Sequence, residues 1–176
     1  IYSFSGVQTV WTNWPQSHVG AYLPWLLWGA ERLLQRRNFS ASLTISLVTC
    51  AMLLAGFPAL TGWGIALMLL WLVFRSRTEF STDHKTLRML ASAIGSVALG
   101  FGVAAWQIFP FVSQMNVTDL SHRTQSVSDH LSPSLMATAA IPRAFGSHAQ
   151  GFFYGDRNYI ESCAFLGAGA LVIVVC

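Results

Sequence analysis

Between Leu87 and Phe109 the chain reads LRMLASAIGSVALGFGVAAWQIF, with Arg88 as its single charged residue. A run of that length matches the roughly 20 residues a helix needs to cross about 30 Å of hydrocarbon. Only a helix or a closed barrel satisfies every backbone donor and acceptor there, so the run predicts a membrane-spanning helix. Working outward, further apolar stretches cover 1–14, 19–35, 39–56 and 60–74 upstream, and 159–176 downstream. Over the whole chain 53% of residues are hydrophobic and 10% are charged, against roughly 25% charged in a soluble domain. Mean hydropathy is +0.50. The fold class this implies is all-α, a polytopic transmembrane helix bundle. Ile1 enters an apolar stretch and Cys176 leaves one, so the expectation is a fragment of a larger protein.

Prolines and glycines mark the breaks. Pro15 removes a backbone donor and biases Trp14 toward extended backbone, which should close a helix at Asn13-Trp14-Pro15. Gly56-Phe57-Pro58 divides 39–56 from 60–74 as a tight helical hairpin, with a re-entrant segment as the alternative. A charged linker, Arg75 to Arg88, precedes the Leu87–Phe109 helix, which should end before Pro110. Within that helix Ala91 and Gly95 form a small-xxx-small pair suited to helix contact in lipid. From 113 to 158 the chain becomes polar, a loop longer than a simple connector needs. Its Leu131–Met136 and Gly151–Tyr154 pieces are apolar enough to lie on a membrane surface or fold over a cavity. Cys50, Cys163 and Cys176 lack metal-ligand or redox spacing and read as small hydrophobes.

The basic residues orient the bundle. Arg32, Arg36, Arg37, Arg75, Arg77, Lys85 and Arg88 fall in two short linkers on one side, whereas Arg123, Arg143 and Arg157 fall on the other. The positive-inside rule makes the two linkers cytoplasmic and puts the 113–158 loop outside. The net charge of +3 thus follows topology and gives no sign of nucleic acid. His18, Phe57, Gln107 and the long loop then share the outer face, where an active site is expected. The seven Trp and four Tyr suit a headgroup belt, with helix contact as the plainer role for any single one.

The loop and the helix after it supply the groups capable of chemistry. Glu161 stands just inside an apolar helix, where an ionisable side chain marks a site or is favoured by the helix dipole. Asp156-Arg157 reads first as a solvated pair. His18, His122, His130 and His148 have no HxH or HxxxH spacing, so no metal site is assigned. Asn116-Val117-Thr118 has sequon form, a pattern common by chance. No phosphate-binding glycine loop, nucleophile elbow or Cys/His signature is present.

Five short motifs follow one another along the chain: Tyr2-Ser3-Phe4-Ser5-Gly6 with Trp11-Thr12-Asn13-Trp14-Pro15-Gln16-Ser17-His18; Leu23-Pro24-Trp25-Leu26-Leu27-Trp28 ending in Glu31-Arg32; Leu54-Ala55-Gly56-Phe57-Pro58; Gln107-Ile108-Phe109-Pro110-Phe111; and Asn158-Tyr159-Ile160-Glu161. In that order the chain resembles the YfhO-like bacterial membrane proteins, within the wider GT-C superfamily of glycosyltransferases. The resemblance implies a plasma-membrane enzyme moving a sugar from a polyprenyl-phosphate carrier to a cell-envelope acceptor on the outer face, with room for a divalent metal. It also implies that the catalytic acid lies upstream of Ile1. Where the pattern leads one to expect His, this chain has Phe57. The residues left to contribute are Trp14 and His18 for sugar or carrier contact, Arg123 or Arg157 for phosphate, and Asn158 with Glu161 to orient groups. Arginine suits phosphate because its planar fork donates two hydrogen bonds at once. A transporter or flippase of lipid-linked substrates and a non-catalytic subunit of a membrane complex are the competing readings. The polar residues gather in a loop and no acid lies mid-helix, which weighs against ion-coupled transport.

Overall fold

Why the chain turns where it does is clearest at the helix ends. The computed structural model describes residues 8, 11–79, 83–115, 117–118, 134, 137–138, 141, 143–147 and 151–154. Their order is α1 (Pro15–Arg36), α2 (Phe39–Leu54), α3 (Pro58–Glu79), α4 (Asp83–Val103), α5 (Ala105–Met115), and two-residue strands β1 (Gly146–Ser147) and β2 (Phe152–Phe153). Pro15 and Pro58 each occupy the first position of a helix, where no N–H is required and the fixed φ already suits the helix. Arg37 takes a left-handed φ of 46° after α1. Asn38 then caps α2, its side chain accepting the Ala41 N–H at 3.0 Å. At the other end of α2 the Gly56 N–H donates to the Leu53 carbonyl at 3.2 Å. Gly56 has φ +90°, a conformation glycine adopts without steric cost. The Gly56-Phe57 break is therefore the turn of a helical hairpin, α2 against α3.

Three expected boundaries shift. The linker expected over Arg75–Arg88 is mostly helical, because α3 runs to Glu79 and α4 starts at Asp83. The helix expected over 87–109 is interrupted at Ala104 and continues past Pro110 as α5. Hydrogen bonding carries through the interruption: Ala104 donates to the Gly100 carbonyl at 3.1 Å, and Ile108 donates to the Ala104 carbonyl at 3.2 Å. Proline fits helical φ but lacks an N–H, so it bends a helix upstream of itself more readily than it ends one. The polar segment expected from residue 113 begins only after Met115.

The chain forms two compact units, His18–Val117 and a second made of Ile1–Ser17 with Thr118–Cys176. In the first, α2 and α3 each touch the other three of the four long helices. A Cβ added to Gly29 of α1 would lie 3.1 Å from Ile45 Cγ1 of α2. One added to Gly64 of α3 would meet Leu23 of α1 and Met52 of α2, at 2.7 and 2.9 Å. One added to Gly100 of α4 would stand 2.6 Å from the Ser46 backbone oxygen of α2. The α4–α2 contact is therefore a backbone approach that tolerates no side chain. Gly95 has nothing within 4 Å and Ala91 is exposed, so the Ala91–Gly95 pair expected to pack does not face a described helix. The buried row of α4 is Met89, Ala93, Ser96 and Gly100 instead, at the three-and-four spacing of one helix face.

On α3 small and hydroxylated side chains share the buried row with large apolar ones, and further large apolar side chains face outward. The buried row of α3 is Thr61, Gly64, Met68, Leu72 and Ser76. Its hydroxyls are satisfied within the helix, Ser76 Oγ donating to Val73 O at 2.9 Å and Thr61 Oγ1 to Phe57 O at 3.4 Å. Trp63, Leu67, Leu70 and Phe74 of the same helix face outward. Two helices, Pro58–Thr78 and His84–Val103, are long and apolar enough to cross a membrane, and 28% and 22% of their apolar windows are buried. α2 is apolar but shorter, its 16 residues spanning about 24 Å at 1.5 Å per residue.

In the second unit Trp14 N donates to Trp11 O at 2.9 Å, in a turn rather than a helix. Strands β1 and β2 pair antiparallel, Gly146 opposite Phe153 and Ser147 opposite Phe152. This small hairpin falls in the segment read as loop, and it stands Phe152 and Tyr154 5.6 Å apart on the surface. The helix expected over 159–176, that over 1–14 apart from residues 8 and 11–14, and most of 113–158 lie outside the described residues.

Candidate functional site

Polarity separates the two ends of the His18–Val117 unit. At one end, Glu31 near the close of α1 accepts from Arg75 of α3 at 3.1 Å and from Trp71 Nε1 at 3.2 Å. Gln35 donates to it from one turn further along α1, at 3.0 Å. Three donors from two helices hold that carboxylate, so α1 and α3 finish side by side. The ends of α1 and α3 and the starts of α2 and α4 therefore meet there. Arg32, Arg36, Arg37, Arg75, Arg77, Lys85 and Arg88 all belong to this end.

The opposite end carries the start of α1 at His18, the Gly56-Phe57 turn, and the α4–α5 break. A cavity of about 230 Å³ opens here, lined by Leu53, Gly56, Pro58, Phe101, Gln107, Ile108, Phe111 and Val112. Gln107, Ile108, Phe111 and Val112 sit at one-and-four spacing on α5, so a single face of that helix forms one wall. No residue of α5 is buried: it covers the end of the unit rather than entering its core. Gln107 is the one polar side chain in the lining. An amide both donates and accepts, which suits it to orient a polar group at the mouth of an apolar chamber.

The cavity joins two of the motif stretches noted in the sequence, the Gly56-Pro58 turn and the Gln107–Phe111 segment, which lie far apart along the chain. Sequence reading placed Gln107 on the shared outer face but assigned it no role, and Leu53, Phe101 and Val112 carried no signal beyond being apolar. Phe57, where His was looked for, is half-buried against the apolar core.

The residues singled out from sequence are only partly gathered. Trp14 is exposed just before α1, with Trp11 stacked edge-on at 5.8 Å, and its carbonyl accepts from Ser17 N and Oγ. His18 is exposed in the first turn of α1. Neither lines the cavity. Arg123, Arg157, Asn158 and Glu161 lie outside the described residues. Among the described residues no three of His, Cys, Asp and Glu come together as a metal-ligand set.

No protein-family model, curated protein or solved structure matches the chain. A functional reading therefore rests on the geometry of the cavity end and on the residue patterns alone.

Proposed function

We propose that this chain is a membrane-embedded part of a bacterial plasma-membrane glycosyltransferase, and that the cavity at Gln107 receives the lipid of a polyprenyl-phosphate-sugar donor. The observation that carries the reading is an almost wholly apolar chamber with one amide, at the end of the helical unit away from the seven basic residues. The exposed faces of α3 and α4 support placement in a bilayer, since large apolar side chains point outward and small or self-satisfied polar ones inward. With the basic end in the cytoplasm, the cavity opens toward the outer leaflet. There an isoprenoid chain would leave the bilayer sideways into the chamber, and its headgroup would emerge near Gln107. Ligand pockets run roughly 300–1,000 Å³, so a volume of about 230 Å³ accommodates the first part of such a chain rather than the whole carrier. In this reading the chain's own residues bind and orient: Phe101, Ile108 and Phe111 grip the hydrocarbon, and Gln107 hydrogen-bonds where hydrocarbon gives way to phosphate. Sugar or carrier contact at Trp14 and His18, phosphate contact at Arg123 or Arg157, and orientation by Asn158 and Glu161 complete the proposal.

The test is photo-crosslinking of the full-length protein in native membranes with a photoreactive polyprenyl-phosphate. Filling the chamber by Ile108→Trp should cut labelling and sugar transfer about tenfold, the equivalent of about 1.4 kcal/mol, while leaving thermal stability near that of the parent. Labelling that is unchanged in Ile108→Trp would sink the assignment of the cavity.

A further inference from the structure

Along one face of α1, at three-and-four spacing, stand Trp25, Trp28, Arg32 and Arg36. Both indoles are open to the surroundings, Trp25 at 57% and Trp28 at 45% exposure. They meet edge to face, with centroids 5.8 Å apart. One turn on, the Arg32 guanidinium lies over the Trp28 ring, 4.6 Å from its centroid. A further turn on, Arg36 closes the helix, exposed. Stacking fixes the plane of Arg32 and leaves its in-plane donors free to bind. The neighbouring acid does not compete for them, because Oε1 of Glu31 already accepts from Arg75 and Gln35 and Oε2 accepts from Trp71. Neither Arg32 nor Arg36 has a carboxylate partner among the described residues.

We propose that this stripe is a binding site for the headgroup of an anionic phospholipid. The occupant is set by two complementary features. Exposed indoles favour the boundary between hydrocarbon and headgroup; the Arg32 guanidinium is held at that boundary by the Trp28 ring, and the Arg36 backbone follows about 12 Å beyond Trp28 at 1.5 Å per residue, so the pair reaches from the indoles into the phosphate layer. A planar fork held by a ring matches a phosphodiester oxygen pair. A soluble acidic protein would meet the arginines but leave the indole pair uncovered. The site rests on the membrane placement proposed above and is independent of the cavity, which lies at the other end of the unit.

The experiment reconstitutes the full-length protein into phosphatidylcholine vesicles carrying a trace of spin-labelled phosphatidylglycerol or spin-labelled phosphatidylcholine, and compares the motionally restricted fraction of each. The parent protein should prefer phosphatidylglycerol, and Arg32→Gln and Arg36→Gln should each lower that preference about tenfold, the loss of one direct charge-assisted hydrogen bond to the headgroup. Arg88→Gln, at the same end but on α4, should leave it unchanged, and Arg32→Lys should recover only part. Equal loss in Arg88→Gln and Arg32→Gln would mean a diffuse positive end and overturn the site. Incorporation with no preference in the parent overturns it as well, without touching the membrane placement. Failure of the parent to incorporate into either vesicle overturns both.

Discussion

The two ends of the His18–Val117 unit are built from the same four long helices and are chemically unlike. One is closed by a carboxylate shared among Arg75, Trp71 and Gln35, and is ringed by guanidinium groups. The other is closed by a glycine turn and an interrupted helix, leaves an apolar chamber, and offers a single amide. The difference teaches how cohesion is distributed. Charge-assisted bonds hold the helices at the basic end. Away from that end, close packing does the same work, Gly100 lying against the Ser46 backbone and Gly64 against the Leu23 and Met52 side chains.

The comparison breaks most severely if the charge asymmetry is erased. Under the membrane placement proposed above, a variant with Arg36, Arg37, Arg75 and Arg77 all changed to Gln should lose the single orientation that placement assigns, since about 1 kcal/mol per basic residue amounts to about 4 kcal/mol over four. Labelling of a Ser40→Cys reporter by an impermeant maleimide on intact cells and on inverted vesicles reads this, and reporter accessibility still confined to one side would contradict it. Next comes Gly100→Leu. Its side chain meets the Ser46 backbone rather than a flexible tip, so overpacking should cost about 3 kcal/mol, seen as a lowered melting temperature in detergent. Gly95→Leu, with open space around it, should cost far less, and the contrast between the two is the sharper result. At the basic end Glu31→Ala should cost about 1 kcal/mol, because the Glu31–Arg75 pair is partly exposed and such pairs contribute modestly. A loss as large as that of Gly100→Leu would reverse the view of which end holds the unit together. An effect as small, and opposite in sign, is expected from Thr49→Val. Thr49 Oγ1 is buried without a hydrogen-bond partner among the described residues, so the isosteric methyl should raise stability by about 1 kcal/mol, and a fall in melting temperature would show that the hydroxyl is used.

Much of this was readable from residue order. Pro15, Pro58 and Gly56 marked true helix boundaries, because a missing N–H and a positive φ are properties of single residues. The grouping of seven basic residues at one end followed from counting alternating spans. Helix interiors were less readable. Pro110 looked like a terminator, yet α5 passes through it and the interruption falls at Ala104, because helical hydrogen bonds on either side absorb one missing donor. Three glycines in α4 were indistinguishable by spacing, and the Ala91–Gly95 pair was the wrong choice because which face turns inward depends on α2. The cavity was invisible for the same reason: Leu53, Phe101 and Val112 are ordinary apolar residues until a turn and a bent helix bring them around Gln107.

By itself, the sequence determined that the apolar stretches over 19–35, 39–56, 60–74 and 87–109 are helical, that helices start at Pro15 and Pro58, and which end carries positive charge. Those properties arise from backbone sterics, hydrogen-bonding capacity and formal charge, all local to a residue and its near neighbours. Only the tertiary structure decided that Gly100 rather than Gly95 is the contact point, that Glu31 is the shared acceptor, and that two distant motifs enclose one chamber. Each depends on which groups from different helices come within a few ångströms, and apolar helices nearly uniform in side-chain chemistry leave that choice to shape.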